Sequence, residues 1–212
     1  MNKWKESELV RSLVGFFLLF LLFIGLFIFV VPSTHQSSKI AEKIKSIKNE
    51  KVTYVAIGDS LTQGVGDSSN QGGFVPVLSQ ALESDFDWQV TSRNYGIAGN
   101  TSNQILKRVQ EKKDIQRDLK KAKVMTLTVG GNDVIHVIKD NITNLNVDTF
   151  TKPAQAYQKR LGQIIELARK DNKTLPIYIV GIYNPFYLNF PEMTEMQTIV
   201  DNWNQSTEEV CK

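Results

Sequence analysis

Val52-Thr53-Tyr54-Val55-Ala56-Ile57-Gly58-Asp59-Ser60-Leu61-Thr62 is the stretch that decides the fold. Residues 52–57 form a β-rich run with no charged side chain, as expected of a strand covered on both faces. Gly58-Asp59-Ser60 then stops it with turn-forming residues. A serine just past a buried strand can project into a crevice among backbone N–H groups, which favour developing negative charge.

The same alternation continues outward. Phe74 to Leu82 is helical in pattern, and Gln89 to Asn94 is a weaker strand. Ser102 to Leu119 has helical periodicity, with Ile105, Val109, Ile115 and Leu119 as its apolar positions. Residues 124–129 are a strand, 154–170 a helix with Leu161, Ile164, Ile165 and Leu167 inward, and 176–182 a strand. Thr194 to Val210 is helical, with Met196, Ile199, Val200 and Trp203 facing in. Strands alternating with helices imply a parallel sheet. With right-handed crossovers this predicts an α/β fold, a three-layer α/β/α sandwich.

Ligands of such sheets bind beyond the carboxyl ends of the strands. Three polar, glycine-rich clusters fall there: Gly58-Asp59-Ser60, Asn94 to Thr101, and Gly130-Gly131-Asn132-Asp133. Gly99 has no Cβ to block a substrate oxygen from its N–H. Asn132 has a side-chain N–H to offer. With the Ser60 N–H these make three candidate oxyanion donors, each typically contributing ~10²–10³ in turnover. Taken singly, each cluster also reads as a cap or a turn; their order and their places after strands point to one site.

Composition narrows the alternatives. The 212 residues carry a net charge of +3, too small and too dispersed for a nucleic-acid surface. Basic residues crowd between Lys107 and Lys123, but Glu111, Asp114 and Asp118 interleave with them, which reads as a solvated helix face. Cys211 is the single cysteine, so no intrachain disulfide forms, and no Cys/His cluster has metal-ligand spacing. Neither a P-loop nor a G-x-S-x-G elbow is present.

Leu13 to Val31 is a run of 19 residues without a charge, ended by Pro32. That length spans the ~30 Å hydrocarbon core. The expectation is a single membrane-spanning helix at 13–31, after a cytoplasmic tail at 1–12 and before a stalk at 32–51. Flanking charges do not orient it. The short tail places the domain at 52–212 outside the cytoplasm, at the cell membrane. A cleaved signal is the competing reading, but its apolar core is normally only about 7–15 residues and no small-x-small site follows here.

GDSLTQG at 58–64, NYGIAGNTS at 94–102 and GGND at 130–133 resemble the first three blocks of the SGNH (GDSL-type) hydrolases, most closely the lysophospholipase- and thioesterase-like branch. The resemblance implies a flavodoxin-like sheet and a serine ester hydrolase with no metal or organic cofactor. It makes Ser60 the nucleophile, and the Ser60 backbone, Gly99 and Asn132 the oxyanion donors. Asp59 holds the turn around the nucleophile, with Asp133 in a supporting place. Lipid acyl esters, small esters and O-acetyl groups on glycans are the implied substrates.

The family's last block, Asp-x-x-His-Pro, is absent. The chain's two histidines are His35, in the stalk, and His136, four residues after Asn132. A serine without a base is a weak nucleophile at neutral pH. The expectation is a C-terminally truncated domain, nearly inert as an esterase, with a further strand and helix carrying the histidine. Two alternatives stay open: His136 as base, and a non-catalytic envelope protein that binds through the same pocket.

Overall fold

Among the described residues, four parallel strands in the order β2-β1-β3-β4 form the sheet. They are β1 (Glu50–Gly58), β2 (Trp88–Gly96), β3 (Ala122–Thr128) and β4 (Ile177–Val180). The helices are α1 (Ser60–Gln63), α2 (Phe74–Phe86), α3 (Ser102–Glu111), α4 (Lys113–Lys121), α5 (Gly131–Asp140), α6 (Thr151–Ala168) and α7 (Thr194–Cys211), with a 3₁₀ turn at Val147–Phe150. This computed structural model describes residues 50–141, 143, 146–184, 187 and 194–211. The expected membrane helix, tail and most of the stalk lie outside those residues. Among the described residues no helix is long and apolar enough to cross a membrane.

Alternate side chains of the sheet serve two cores. Val55, Ile57, Met125 and Leu127 face a large one completed by α3, α4, α6 and α7, with Leu161, Ile164 and Trp203 at its centre. Tyr54, Ala56 and Val124 face a smaller one built on Val75 of α2. Both faces of β1 are therefore covered, which is why residues 52–57 carry no polar alternation. β2 is mostly exposed, and its pattern is correspondingly faint in the sequence.

The expected single helix over Ser102 to Leu119 is two helices. Lys112 is extended (φ −88°, ψ 109°) between α3 and α4. The apolar spacing explains the break. Ile105 and Val109 are one turn apart, but Ile115 follows Val109 by six residues, off-phase for a 3.6-residue period. Breaking at Lys112 lets all four side chains reach the core. The Gln116 side chain donates to the carbonyls of Val109 and Gln110, satisfying acceptors at the end of α3. The charged stretch is not wholly a solvated face either. Asp118 is fully buried, accepts from Tyr95 Oη at 2.8 Å, and pairs with Arg93, Arg117 and Lys121. Burial opposes its ionisation, but Arg117, Tyr95 and Lys121 hold its carboxyl below the usual range.

β4 is shorter than the expected strand at both ends. Pro176 has no N–H to donate, and its carbonyl accepts from Met125 at 3.0 Å before the ladder begins. The ladder closes at the Thr128–Val180 pair.

The connection from β1 leads to β2 on one side, and the chain then returns to β3 on the other. The crevice between the carboxyl ends of β1 and β3 is thus the point where the winding reverses, the usual ligand position in open α/β sheets.

Candidate active site

Ser60 is the first residue of α1, at the carboxyl end of β1, and is half-buried. Asp59 is the N-cap of that turn. Its Oδ1 accepts from the Leu61 N–H at 3.1 Å and from the Thr128 hydroxyl at 2.8 Å. Thr128 Oγ1 in turn accepts from the Asp59 N–H at 3.1 Å and lies 2.8 Å from Thr62 Oγ1. The proton count fixes the directions. Thr128 spends its one hydrogen on Asp59, so the single Thr62 hydroxyl hydrogen is shared between Thr128 Oγ1 and the Ile57 carbonyl at 3.3 Å. This closed, buried network joins β3 to both sides of Ser60. Gly58 is forced by the same packing: a Cβ there would stand 2.1 Å from Thr128 Oγ1.

The end of β2 locks onto α1. Asn94 Nδ2 donates to the Thr62 carbonyl at 2.7 Å, and the Ile97 N–H to the Gly58 carbonyl at 3.0 Å. Arg108 reaches back from α3 to the Tyr95 carbonyl at 2.8 Å and Asn100 Oδ1 at 3.3 Å. Thr101 and Gln104 form a capping box that starts α3.

Asn132 and Ser60 line one cavity of about 360 Å³ at the reversal point. One amide hydrogen of Asn132 goes to the Asn100 carbonyl at 3.0 Å. An amide has two, so one N–H is left for a ligand. The remaining wall is largely apolar, with Val129, Ile138, Ile182, Met196 and Val200 among its residues. Its volume lies within the range of ligand cavities.

The other expected residues are placed differently. Gly99 sits in the β2–α3 loop at φ +77°, with open space where a Cβ would be. It does not line the cavity; its loop is tied to the site through the Asn100–Asn132 bond. Asp133 does not line the cavity either. It is buried and accepts from the Ser102 N–H at 2.8 Å, the Ser102 hydroxyl at 2.6 Å and Arg160 at 3.2 Å. Its support is therefore indirect, fastening the start of α5 to α3 and α6. His136 is exposed on α5 and does not line the cavity.

Sequence reasoning missed Thr128, Thr62, Ser102 and Arg160. A signal existed for Thr128: the two hydroxyls of Thr126 and Thr128 in a buried strand each require a buried partner, and Thr126 finds Tyr54 Oη. Among the described residues no group of His, Cys, Asp and Glu is arranged to hold a metal ion.

The profile of the GDSL-like Lipase/Acylhydrolase family matches residues 56–212. The chain is 33% identical over 182 residues to the uncharacterized protein YpmR of Bacillus subtilis, covering 85% of this chain and 71% of that protein. It is 30% identical over 138 residues to the spore germination lipase LipC of Bacillus licheniformis, covering 63% of this chain and 64% of LipC. The crystal structure of the lipase Lip_vut3 from a goat rumen metagenome superposes with a TM-score of 0.66 at 25% identity, covering 73% of each chain. That of the acetyl xylan esterase AlAXEase gives a TM-score of 0.52 at 19% identity over 75% of this chain and 72% of that one, a likeness of fold.

Proposed function

Because the chain belongs to the GDSL-like lipase/acylhydrolase family of carboxylic ester hydrolases, we propose that it is a membrane-anchored serine hydrolase of acyl esters, working through an acyl-enzyme at Ser60. The observation that carries this reading is the shared, largely apolar cavity on which Ser60 and Asn132 both open. A cavity of that size and lining suits an acyl chain better than an acetyl group alone. The lipase activity named for LipC and Lip_vut3 points the same way.

In this reading the Ser60 hydroxyl attacks the ester carbonyl. Negative charge collects on the carbonyl oxygen, where the Ser60 N–H and the second Asn132 amide hydrogen meet it, with the Gly99 N–H as third donor. The tetrahedral intermediate expels the alcohol, and water clears the acyl group. The anchor is residues 13–31 and the domain is extracytoplasmic, so lipid and envelope esters are the substrates within reach.

The proton acceptor is the open position. No histidine among the described residues lines the cavity, and His136 faces solvent. This favours a second reading, in which the chain binds acyl compounds with little turnover. Without a base, the oxyanion donors and binding alone leave ~10³–10⁴ over water in the serine protease case.

One experiment separates the two. The full chain is treated with a fluorophosphonate probe and assayed on aryl esters, beside Ser60→Ala and His136→Ala. Labelling and turnover that vanish in Ser60→Ala establish the hydrolase. Undiminished labelling of that variant removes Ser60 from the role. Turnover that also needs His136 makes it the base. The anchor is checked by fractionation: a mature protein that starts after Pro32 and washes free of membranes rules it out.

A further inference from the structure

Met196, Val200 and Asn204 lie at i, i+4 and i+8 on α7, a single stripe along the helix. The first two line the cavity. The third does something else. Asn204 Oδ1 accepts from the Ile182 N–H at 2.9 Å, and Asn204 Nδ2 donates to the Ile182 carbonyl at 2.8 Å. One side-chain amide thus matches both polar groups of one residue's backbone, as a neighbouring strand would.

The position of this pair is informative. The β3–β4 ladder ends at Thr128–Val180, so Gly181 and Ile182 have left the sheet. Both nevertheless line the cavity opposite Ser60's side of the crevice. Asn204 replaces the missing strand, and Gly181 lets it approach: a Cβ on Gly181 would stand 3.0 Å from Asn204 Oδ1. The Ile182 wall is therefore held by α7, beyond the end of the β3–β4 ladder.

We infer that Asn204 is a positioning residue that fixes the Ile182 wall of the cavity and so sets its selectivity among acyl chains. The inference rests on the acyl-ester reading of the same site. An apolar pocket discriminates by about 10–200-fold per methylene only when its walls stay put. Freed from Asn204, Gly181–Ile182 would follow any chain that enters, and length preference would flatten.

The test uses the full chain, with Asn204→Leu, which keeps the size and loses both hydrogen bonds, and Asn204→Asp, which keeps the shape and the acceptor. At neutral pH the Asp is a carboxylate. It has no donor and turns an oxygen towards the Ile182 carbonyl. Asn202→Asp, on an exposed position of α7, controls for the added charge. Two quantities are measured at pH 7: affinity for the neutral apolar fluorophore N-phenyl-1-naphthylamine, and the ratio of KM values for aryl acetate and aryl octanoate.

Both Asn204 variants should bind the fluorophore about tenfold more weakly, and their KM ratio should narrow by a similar factor, while Asn202→Asp stays near wild type. Folded Asn204 variants within twofold of wild type overturn the inference. So does a failure of both variants to fold, which would make the pair a support of the whole domain. A wild-type chain that neither binds the fluorophore nor hydrolyses either ester overturns the acyl-ester reading, and this inference with it.

Discussion

Gly130 turns directly over the buried indole of Trp203. A Cβ on Gly130 would stand 2.8 Å from Trp203 Nε1 and 3.2 Å from the Tyr157 ring, and the backbone there has φ +110°. The Trp203 Nε1–H is itself buried, with no hydrogen-bond partner among the described residues. The Tyr157 and Trp203 rings pack tilted at 36° with centroids 5.0 Å apart and form the floor on which the turn carrying Asn132 rests. Gly130→Ala is therefore expected to cost about 1–3 kcal/mol in backbone strain alone, before the clash is counted, and to slow probe labelling of Ser60. Gly99→Ala, at φ +77° but with open space around it, carries the strain without the clash. Urea unfolding of the two variants should rank Gly130→Ala as the more damaging; the reverse order would mean that the Trp203 contact is not a constraint.

Thr128→Val keeps the shape of the side chain and removes its hydroxyl. The Asp59 N–H, the Asp59 carboxylate and the Thr62 hydroxyl then lose a buried partner together. Leaving such groups unsatisfied costs about 1–3 kcal/mol. Because they flank Ser60, labelling by the fluorophosphonate should slow as well. A variant as stable and as reactive as wild type would show that the network is dispensable.

The Asp133 cluster predicts a purely structural loss. Arg160→Met removes a partner from a buried carboxylate but leaves both Ser102 bonds in place. Hydrogen bonds to charged groups contribute about 1.5–3 kcal/mol, and Arg160 is partly exposed, so the lower end applies. Thermal unfolding should report that loss, while Ser60 labelling per folded molecule stays unchanged. A drop in labelling without a drop in stability would relocate Asp133 to the site.

Asp67 closes the loop that follows α1. The Ser69 hydroxyl, the Gly73 N–H and the Ser69 N–H, with a smaller part from Gln71, hold its carboxyl well below the usual carboxylate range. A carboxyl depressed on folding stabilises fully above its unfolded pKa, ~3.9. That contribution is lost as pH falls through the lower folded value. Amide exchange at Gln71 and Gly73 should therefore keep its protection from neutral pH down to about pH 4 and lose it in stronger acid. Asp67→Asn should remove the acid dependence. Protection that fades between pH 7 and pH 5 would contradict this assignment.

The residues that could be read from the chain are those whose signal is local. Ser60, Asn132 and Asp59 were legible because each closes a strand with turn chemistry, and a parallel sheet sends all such closures to one edge. Met196, Ile199, Val200 and Trp203 were legible because 3.6-residue spacing sorts a helix face. The break at Lys112 was latent in the six-residue step from Val109 to Ile115. Thr128 with Asp59, 69 positions apart, depends on strand register, which spacing does not encode. Asp133 with Arg160 and Asn204 with Ile182 join helices to other elements, and only packing brings them together.

The direction of β1 has a consequence for reach. Glu50 begins the strand and Ser60 follows its far end, nine strand residues away. At ~3.3 Å per residue the two lie about 30 Å apart. A tag or a substitution at the Glu50 end is therefore a full strand's length from Ser60, and the chain can be altered there without touching the cavity.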